Sequence, residues 1–277
     1  MKVGEYNMLK VSRQSDFGLY LADALGDEVL LPRRYATDDM HIGDTVKVFV
    51  YHDSENRIVA TTETPLAVVG DFALMRCKAV NPVGAFLDWG LSAKDLLVPF
   101  REQRVGMHAG RSYVVHVYLD KESGRVVASA KLNRFMSQDT PDYYRRQKAQ
   151  VLVVQQTEIG YRVIVDDRFW GQIYHNETYT EVNVGDRLTA FVKQVRPDGK
   201  IDLTLSKIEK LRVDDLAEDI LRYLRTHGKE MSITDKSSPE QIMELFSCSK
   251  KDFKKALGTL YKQQRVVLTP ERVKLVK

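Results

Sequence analysis

The sequence predicts a mainly β protein, three small barrels in series followed by a C-terminal α/β domain, on three observations. Two glycine landmarks recur in register through three copies. Each copy closes with a polar turn and one more strand. After Ser206 the apolar period changes from two residues to about 3.6.

Each copy opens on an apolar strand that turns at a glycine, in Asp16-Phe17-Gly18-Leu19-Tyr20-Leu21, Pro82-Val83-Gly84-Ala85-Phe86-Leu87 and Glu158-Ile159-Gly160-Tyr161-Arg162-Val163. These glycines are 66 and 76 residues apart. The second landmark begins an alternating strand at Gly43-Asp44, Gly110-Arg111 and Gly185-Asp186, 67 and 75 residues apart and always 25 or 26 after the first. The closing turns are Asp53 to Arg57, Asp120 to Arg125 and Pro197 to Lys200, each running into a strand. Period-two patterning with hairpin turns marks antiparallel strands. About five short strands per copy is the size of a closed OB-type barrel, which hides its sheet edges by closing.

The expected organisation is therefore a first barrel over 1–64, a second over 65–136 and a third over 150–210. Thr64-Pro65 leaves only a tight junction, so the first two barrels are expected to pack together. Residues 137–149 are expected to form a helical linker, with Thr140 as N-cap and Pro141 at the first helical position. Residues 211–277 read as three helices and a hairpin, the order of a winged helix. Asp215-Leu216-Ala217-Glu218 is a capping-box signature. Leu216, Ile220, Tyr223 and Leu224 then form one apolar face, and Gly228 is placed to end the helix. A second helix is expected from Ser238-Pro239 to Phe246 and a third from Ser249 to about Gln263.

Of the chain's 277 residues, 43% are apolar and 29% charged, the arithmetic of an ordinary soluble protein. No apolar run reaches the ~18 to 20 residues of a membrane span, and the start has no apolar signal-peptide centre, so the expected address is the cytoplasm. Cys77 and Cys248 are too isolated for a disulfide framework or a sequence-local metal site and are expected to be reduced packing residues. The net charge is +4, and 14 of the 42 basic residues but only 10 of the 38 acidic ones follow residue 210. The first 210 residues thus carry 28 of each, and the whole excess sits at the C-terminal end.

Flat rings on the outer face of such a barrel offer stacking platforms for unpaired bases, worth ~1 to 3 kcal/mol per base. Phe17, Tyr20, Phe86 and Tyr161 stand at or beside the hairpin glycine, where the missing Cβ is expected to let a base approach. Rings at strand positions are ordinarily core residues, and alternation does not say which of two neighbours faces outward. Asp53 and Arg57 bracket the last turn of the first barrel, as Asp120 and Arg125 do in the second, suiting phosphate, sugar or base contacts. The third barrel has Lys200 without a matching acid, with Tyr161, Arg162, Tyr174 and His175 as its candidates. On the third helix Lys250, Lys251, Lys254, Lys255 and Lys262 lie off the apolar face, and Arg265 follows, a stripe suited to phosphates.

The glycine-aromatic hairpin, the Gly-Asp strand and the late Asp and Arg resemble the S1 RNA-binding domain. That resemblance implies RNA contact by Phe17, Tyr20, Asp53 and Arg57 in the first barrel and by Phe86, Asp120 and Arg125 in the second. Val83 and Ile159 stand where an aromatic is expected. Over nearly its whole length the chain also resembles the conserved virulence factor B family of bacteria. The strings that carry this are Phe86-Leu87-Asp88-Trp89-Gly90-Leu91, Lys94-Asp95-Leu96-Leu97-Val98-Pro99-Phe100, Tyr118-Leu119-Asp120 and Gly171-Gln172-Ile173-Tyr174-His175-Asn176-Glu177. The resemblance implies three S1 barrels, a winged helix, RNA binding and an influence on gene expression.

No catalytic constellation can be assembled. Gly199-Lys200 lacks the rest of a phosphate loop, and the six histidines show neither metal spacing nor a nucleophile elbow. The expected function is non-catalytic binding of single-stranded RNA in post-transcriptional regulation, with no cofactor, metal or membrane partner. The alternative is a transcriptional regulator that reads duplex DNA with the winged helix and docks partners on the barrels. Against it, the third helix offers mostly Lys where base reading favours Arg, Asn or Gln.

Overall fold

The computed structural model describes residues 1–178, 181–205, 213–246 and 248–276, which fall into two compact units, Met1–Met136 and Ser137–Lys277. The first unit holds two barrels. Strands β1 (Tyr6–Ser15), β2 (Gly18–Ala22), β3 (Glu28–Pro32), β4 (Thr45–His52) and β5 (Ile58–Thr61) close in the order β1-β2-β3-β5-β4. In the second barrel β6 (Phe72–Asn81), β7 (Gly84–Leu91), β8 (Lys94–Pro99), β9 (Ser112–Leu119) and β10 (Val126–Ser129) run β10-β9-β6-β7-β8, with β8 beside β10. The two barrels share one core: Trp89 meets Phe49 edge-on at 5.4 Å and Tyr51 at 6.2 Å, and its indole N–H donates to the Ala67 carbonyl at 2.8 Å.

The second unit begins with a third closed barrel, β11 (Lys148–Thr157), β12 (Gly160–Val165), β13 (Phe169–Tyr174), β14 (Arg187–Val195) and β15 (Ile201–Thr204), in the first barrel's order. A winged helix follows: α1 (Val213–Thr226), β16 (Glu230–Met231), α2 (Pro239–Phe246), α3 (Lys250–Lys262), β17 (Val266–Leu268) and β18 (Val273–Leu275). The short β16, not expected from sequence, pairs with β18 and turns the hairpin into a three-stranded sheet. The α1 helix starts at Val213, so the expected start at Asp215 falls within its first turn. Ser206 and the 210/211 boundary lie outside the described residues.

Both glycine landmarks have backbone causes. At Gly18, Gly84 and Gly160 φ is between +144° and +154°, and a Cβ would sit 2.0 to 2.3 Å from the carbonyl oxygen of Leu31, Val98 or Ile173 on the third strand. The close approach is therefore made by the protein's own strand and not by a base, which corrects the sequence expectation. Gly43, Gly110 and Gly185 donate their N–H to the carbonyls of Val11, Cys77 and Val153 at 2.8 to 2.9 Å, tying the fourth strand's entry to the first strand. Each first strand shifts register just after that residue, with Ser12, Lys78 or Val154 as the extra residue of a bulge. A 3₁₀ turn follows each third strand, at Arg33–Tyr35, Phe100–Glu102 and His175–Glu177.

The expected helix within 137–149 is absent. The segment is held in extended and turn form by bonds to the third barrel: the Ser137 N–H to the Arg168 carbonyl at 2.8 Å, the Tyr143 hydroxyl to Asp166 at 2.7 Å, and the Arg146 N–H to the Val192 carbonyl. Arg146 has φ +70°, outside the helical region. Tertiary anchoring overrides the local capping signal. Both cysteines are buried, and burial pushes both thiols up, that of Cys248 to about 12.

Candidate nucleic-acid interface

The hairpin between the first two strands of each barrel presents an exposed apolar tip: Phe17 at 73%, Val83 at 58% and Ile159 at 59% exposure. Beside it on the outer face stand Tyr20, Phe86 and Arg162, all half-buried and placed identically relative to their glycines. Tyr161, by contrast, is buried in the third barrel's core, so that candidate is corrected to a packing residue. Its neighbour Arg162 lies 3.7 Å from the centroid of Trp170. In the first barrel the Arg13 guanidinium lies 3.5 Å from the centroid of Tyr20 and pairs with Glu28 at 2.8 Å. The sequence reading overlooked Arg13 and Trp170, although pairing across the hairpin places Arg13 opposite Tyr20. It also overlooked Phe100, exposed at the 3₁₀ turn one repeat before His175.

The late acids are turn caps. Asp53 accepts the Glu55 and Arg57 amides at 2.9 Å and pairs with the Arg57 guanidinium at 2.7 Å. Partial burial would raise its carboxyl, but these donors outweigh burial and hold it below the usual range. Asp120 is held low by the Ser123 hydroxyl at 2.7 Å and meets Arg101 at 3.5 Å. Arg125 instead reaches across to the first barrel, where its Nε donates to Asn56 Oδ1 at 2.6 Å. In the third barrel Arg196 stands where Asp53 and Asp120 open their turns, its N–H donating to the Lys200 carbonyl at 2.8 Å, and Lys200 pairs instead with Asp198 inside the turn at 2.8 Å. Its Tyr174 hydroxyl accepts from Arg196, which also pairs with the buried Asp202, and His175 Nε2 lies 3.2 Å from the Thr157 carbonyl oxygen.

On α3, Phe253, Ala256, Leu257 and Leu260 face the core, while Lys251, Lys254, Lys255 and Lys262 are exposed. Among the described residues no carboxylate lies within ion-pair distance of these four. Lys250 is half-buried and donates to the Lys236 carbonyl at 3.4 Å, and Arg265 meets Glu218 at 3.5 Å, so both ends of the predicted stripe are engaged within the domain.

An S1 domain matches residues 3–63 and a CvfB-like winged helix domain matches residues 218–275. These are nucleic-acid-binding rather than catalytic domain types. The chain is 32% identical over 277 residues to the uncharacterized protein YitL of Bacillus subtilis, covering 96% of this chain and 91% of that protein. It is 22% identical over 284 residues to conserved virulence factor B of Staphylococcus aureus, covering 99% and 94%. A crystal structure of a multidomain protein with nucleic acid binding domains from Streptococcus pneumoniae aligns at 25% identity over 99% of this chain and 98% of that one, with a TM-score of 0.42. Three barrels, a winged helix of matching type and the 32% identity to the Bacillus subtilis relative along almost the whole chain place it together: the chain belongs to the conserved virulence factor B-like family.

Proposed function

We propose that this protein binds single-stranded RNA without catalysis and acts as a post-transcriptional regulator in the bacterial cytoplasm. In this reading bases stack along the first two barrels and the winged helix contacts phosphates. The observation that carries it is the hairpin surface, where an exposed apolar tip stands beside an outward ring or guanidinium in every barrel. At Tyr20 a base would meet the Arg13 guanidinium plane over the ring, and guanidinium planes also stack on bases. Phe86 is the corresponding bare platform in the second barrel. Because every base has a π-face, such surfaces favour unpaired strands and tolerate many sequences.

Fluorescence anisotropy with a short single-stranded RNA, the matching DNA strand and a duplex DNA, each at two salt concentrations, tests this. The RNA strand is expected to bind best. A Phe17→Ala, Tyr20→Ala double variant should lose about 2 kcal/mol or more at both salts, from ~1 to 3 kcal/mol per stacked base. The exposed lysines of α3 favour a second reading, a duplex-DNA regulator. Tighter binding to duplex than to either strand would establish it and overturn the first.

A further inference from the structure

The outer face shared by β1 and β4 of the first barrel is apolar, and half of it is uncovered. Leu9 and Val11 point into that barrel's core, so Tyr6, Met8 and Lys10 point outward, paired with Phe49, Lys47 and Thr45 of β4. Phe49 is sealed against Trp89 of the second barrel. Past that contact the face continues into the open, where Tyr6 is 38% and Met8 63% exposed. It lies on the half of β1 away from the hairpin surface, since residues 6–10 pair with β4 and residues 10–15 with β2.

The other two barrels show what such a face requires. Counted from the two glycine landmarks, Phe72, Leu74 and Val114 hold the places of Tyr6, Met8 and Lys47 in the second barrel, and Lys148, Gln150 and Thr189 hold them in the third. In the second barrel all three are apolar and covered: Phe72 and Val114 are buried and Leu74 is half-buried. There Phe135, from the turn after β10, closes at 4.0 Å over His116, which corresponds to Phe49. In the third barrel all three are polar and exposed, and Gln150 donates to the Thr189 hydroxyl across the strands at 3.2 Å. Only the first barrel leaves apolar side chains open at these places.

Charge identifies what covers them. Lys10 and Lys47 rim the face; Lys47 lies 4.5 Å over the Tyr6 ring, and among the described residues neither lysine has a carboxylate within ion-pair distance. At the far end of the same strand pair, the loop before β4 carries the exposed Asp38, Asp39 and Asp44 together with Ile42, 67% exposed. The Gly43 N–H to the Val11 carbonyl at 2.9 Å and the Val11 N–H to the Asp44 carbonyl at 2.8 Å hold it there. One end of the surface is thus apolar and basic, the other apolar and acidic. Such a surface complements itself about a two-fold axis, which lays each half on the opposite half of a second copy.

We propose that the β1–β4 face of the first barrel docks a second copy of this chain. The axis runs between Lys10 and Asp44, so that Lys10 of each copy meets Asp44 of the other and Met8 meets Ile42. The hairpin surfaces stay outside the contact. The dimer then carries two sets of barrels, and a strand long enough to engage both gains avidity that a short one does not. Association itself does not depend on strand binding.

The test is sedimentation equilibrium of the full chain, without RNA, over a hundredfold range of concentration. The weight-average mass should climb from one chain towards two as concentration rises. Met8→Lys and Lys10→Glu should each weaken dimerisation at least tenfold, while Gln150→Ala, at the matching place in the third barrel, should leave it unchanged. All three residues are exposed, so the melting temperature should stay at the wild-type value in each variant and show that it is folded. A single chain throughout the range would overturn the second copy as the occupant and leave the face to a different protein. Dimers that survive either Met8→Lys or Lys10→Glu, or that Gln150→Ala weakens as much, would overturn this face as the contact.

Discussion

Gly84 and Gly110 both stand at positive φ, yet they answer to different constraints. A Cβ on Gly84 would sit 2.3 Å from the Val98 carbonyl oxygen, whereas one on Gly110 would meet nothing within 4 Å. Gly110→Ala therefore costs only the left-handed backbone penalty, ~1 to 2 kcal/mol. Gly84→Ala adds displacement of β8 from β7, so its loss should exceed that of Gly110→Ala by about 1 kcal/mol or more, within the ~1 to 3 kcal/mol typical of forced backbone strain. Urea unfolding of both variants checks this, and equal losses would mean that the strand contact yields easily. Because β8 pairs Leu97 with Phe86, the same displacement should also weaken strand binding at the Phe86 platform. The glycine thus serves function only through the strand that it seats.

At the scale of elements, the 3₁₀ turn after β8 is pinned by Glu102. Its buried carboxylate accepts from Arg134 with both oxygens at 2.8 Å, and the Ala130 N–H donates to its backbone carbonyl. Burial would push the Glu102 carboxyl up, but hydrogen bonds from Ser129 and Arg134 outweigh it and leave the group below its usual range. A lowered folded-state pKa stabilises the fold above the unfolded value near 4.5 and is lost as pH falls through the folded one. Arg134→Ala should therefore cost about 1 to 3 kcal/mol at pH 7, nearer the lower figure because Arg134 is half exposed, and progressively less below about pH 4. Chemical unfolding at pH 7 and pH 3.5 measures both values; a deficit independent of pH would rule out the ion pair as its cause. This pair was not legible in the sequence, because 32 residues separate its members. The strands and their repeat were legible, since Gly18, Gly84 and Gly160 are local demands of a recurring hairpin. Outward rings were only half legible: alternation separated two faces but could not assign Tyr161 to the core and Phe86 to the surface. The linker failed for the converse reason. Thr140-Pro141 is a good local cap, but Tyr143 and Arg146 gain more from the third barrel than a short helix would provide.

For the whole molecule, the first 210 residues carry no net charge, and the C-terminal quarter carries the excess of +4. Stacking is largely insensitive to salt, whereas a phosphate contact releases a counterion, so the two contributions separate on a salt titration. On single strands each phosphate neutralised contributes a slope of ~0.7 in log affinity against log salt. Lys251, Lys254 and Lys255 are exposed, lie on one side of α3 and have no ion-pair partner among the described residues, so all three are free to make such contacts. Replacing them together by Ala should flatten the slope by about 2 while leaving the high-salt affinity nearly unchanged. The Phe17→Ala, Tyr20→Ala variant should do the reverse, lowering affinity at every salt and keeping the slope. An unaltered slope in the lysine variant would move the phosphate contacts onto the barrels, whose exposed cations without an ion-pair partner among the described residues include Lys10, Arg76, Arg111 and Arg125. The salt titration of those two variants therefore decides whether the winged helix or the barrels hold the backbone of the strand.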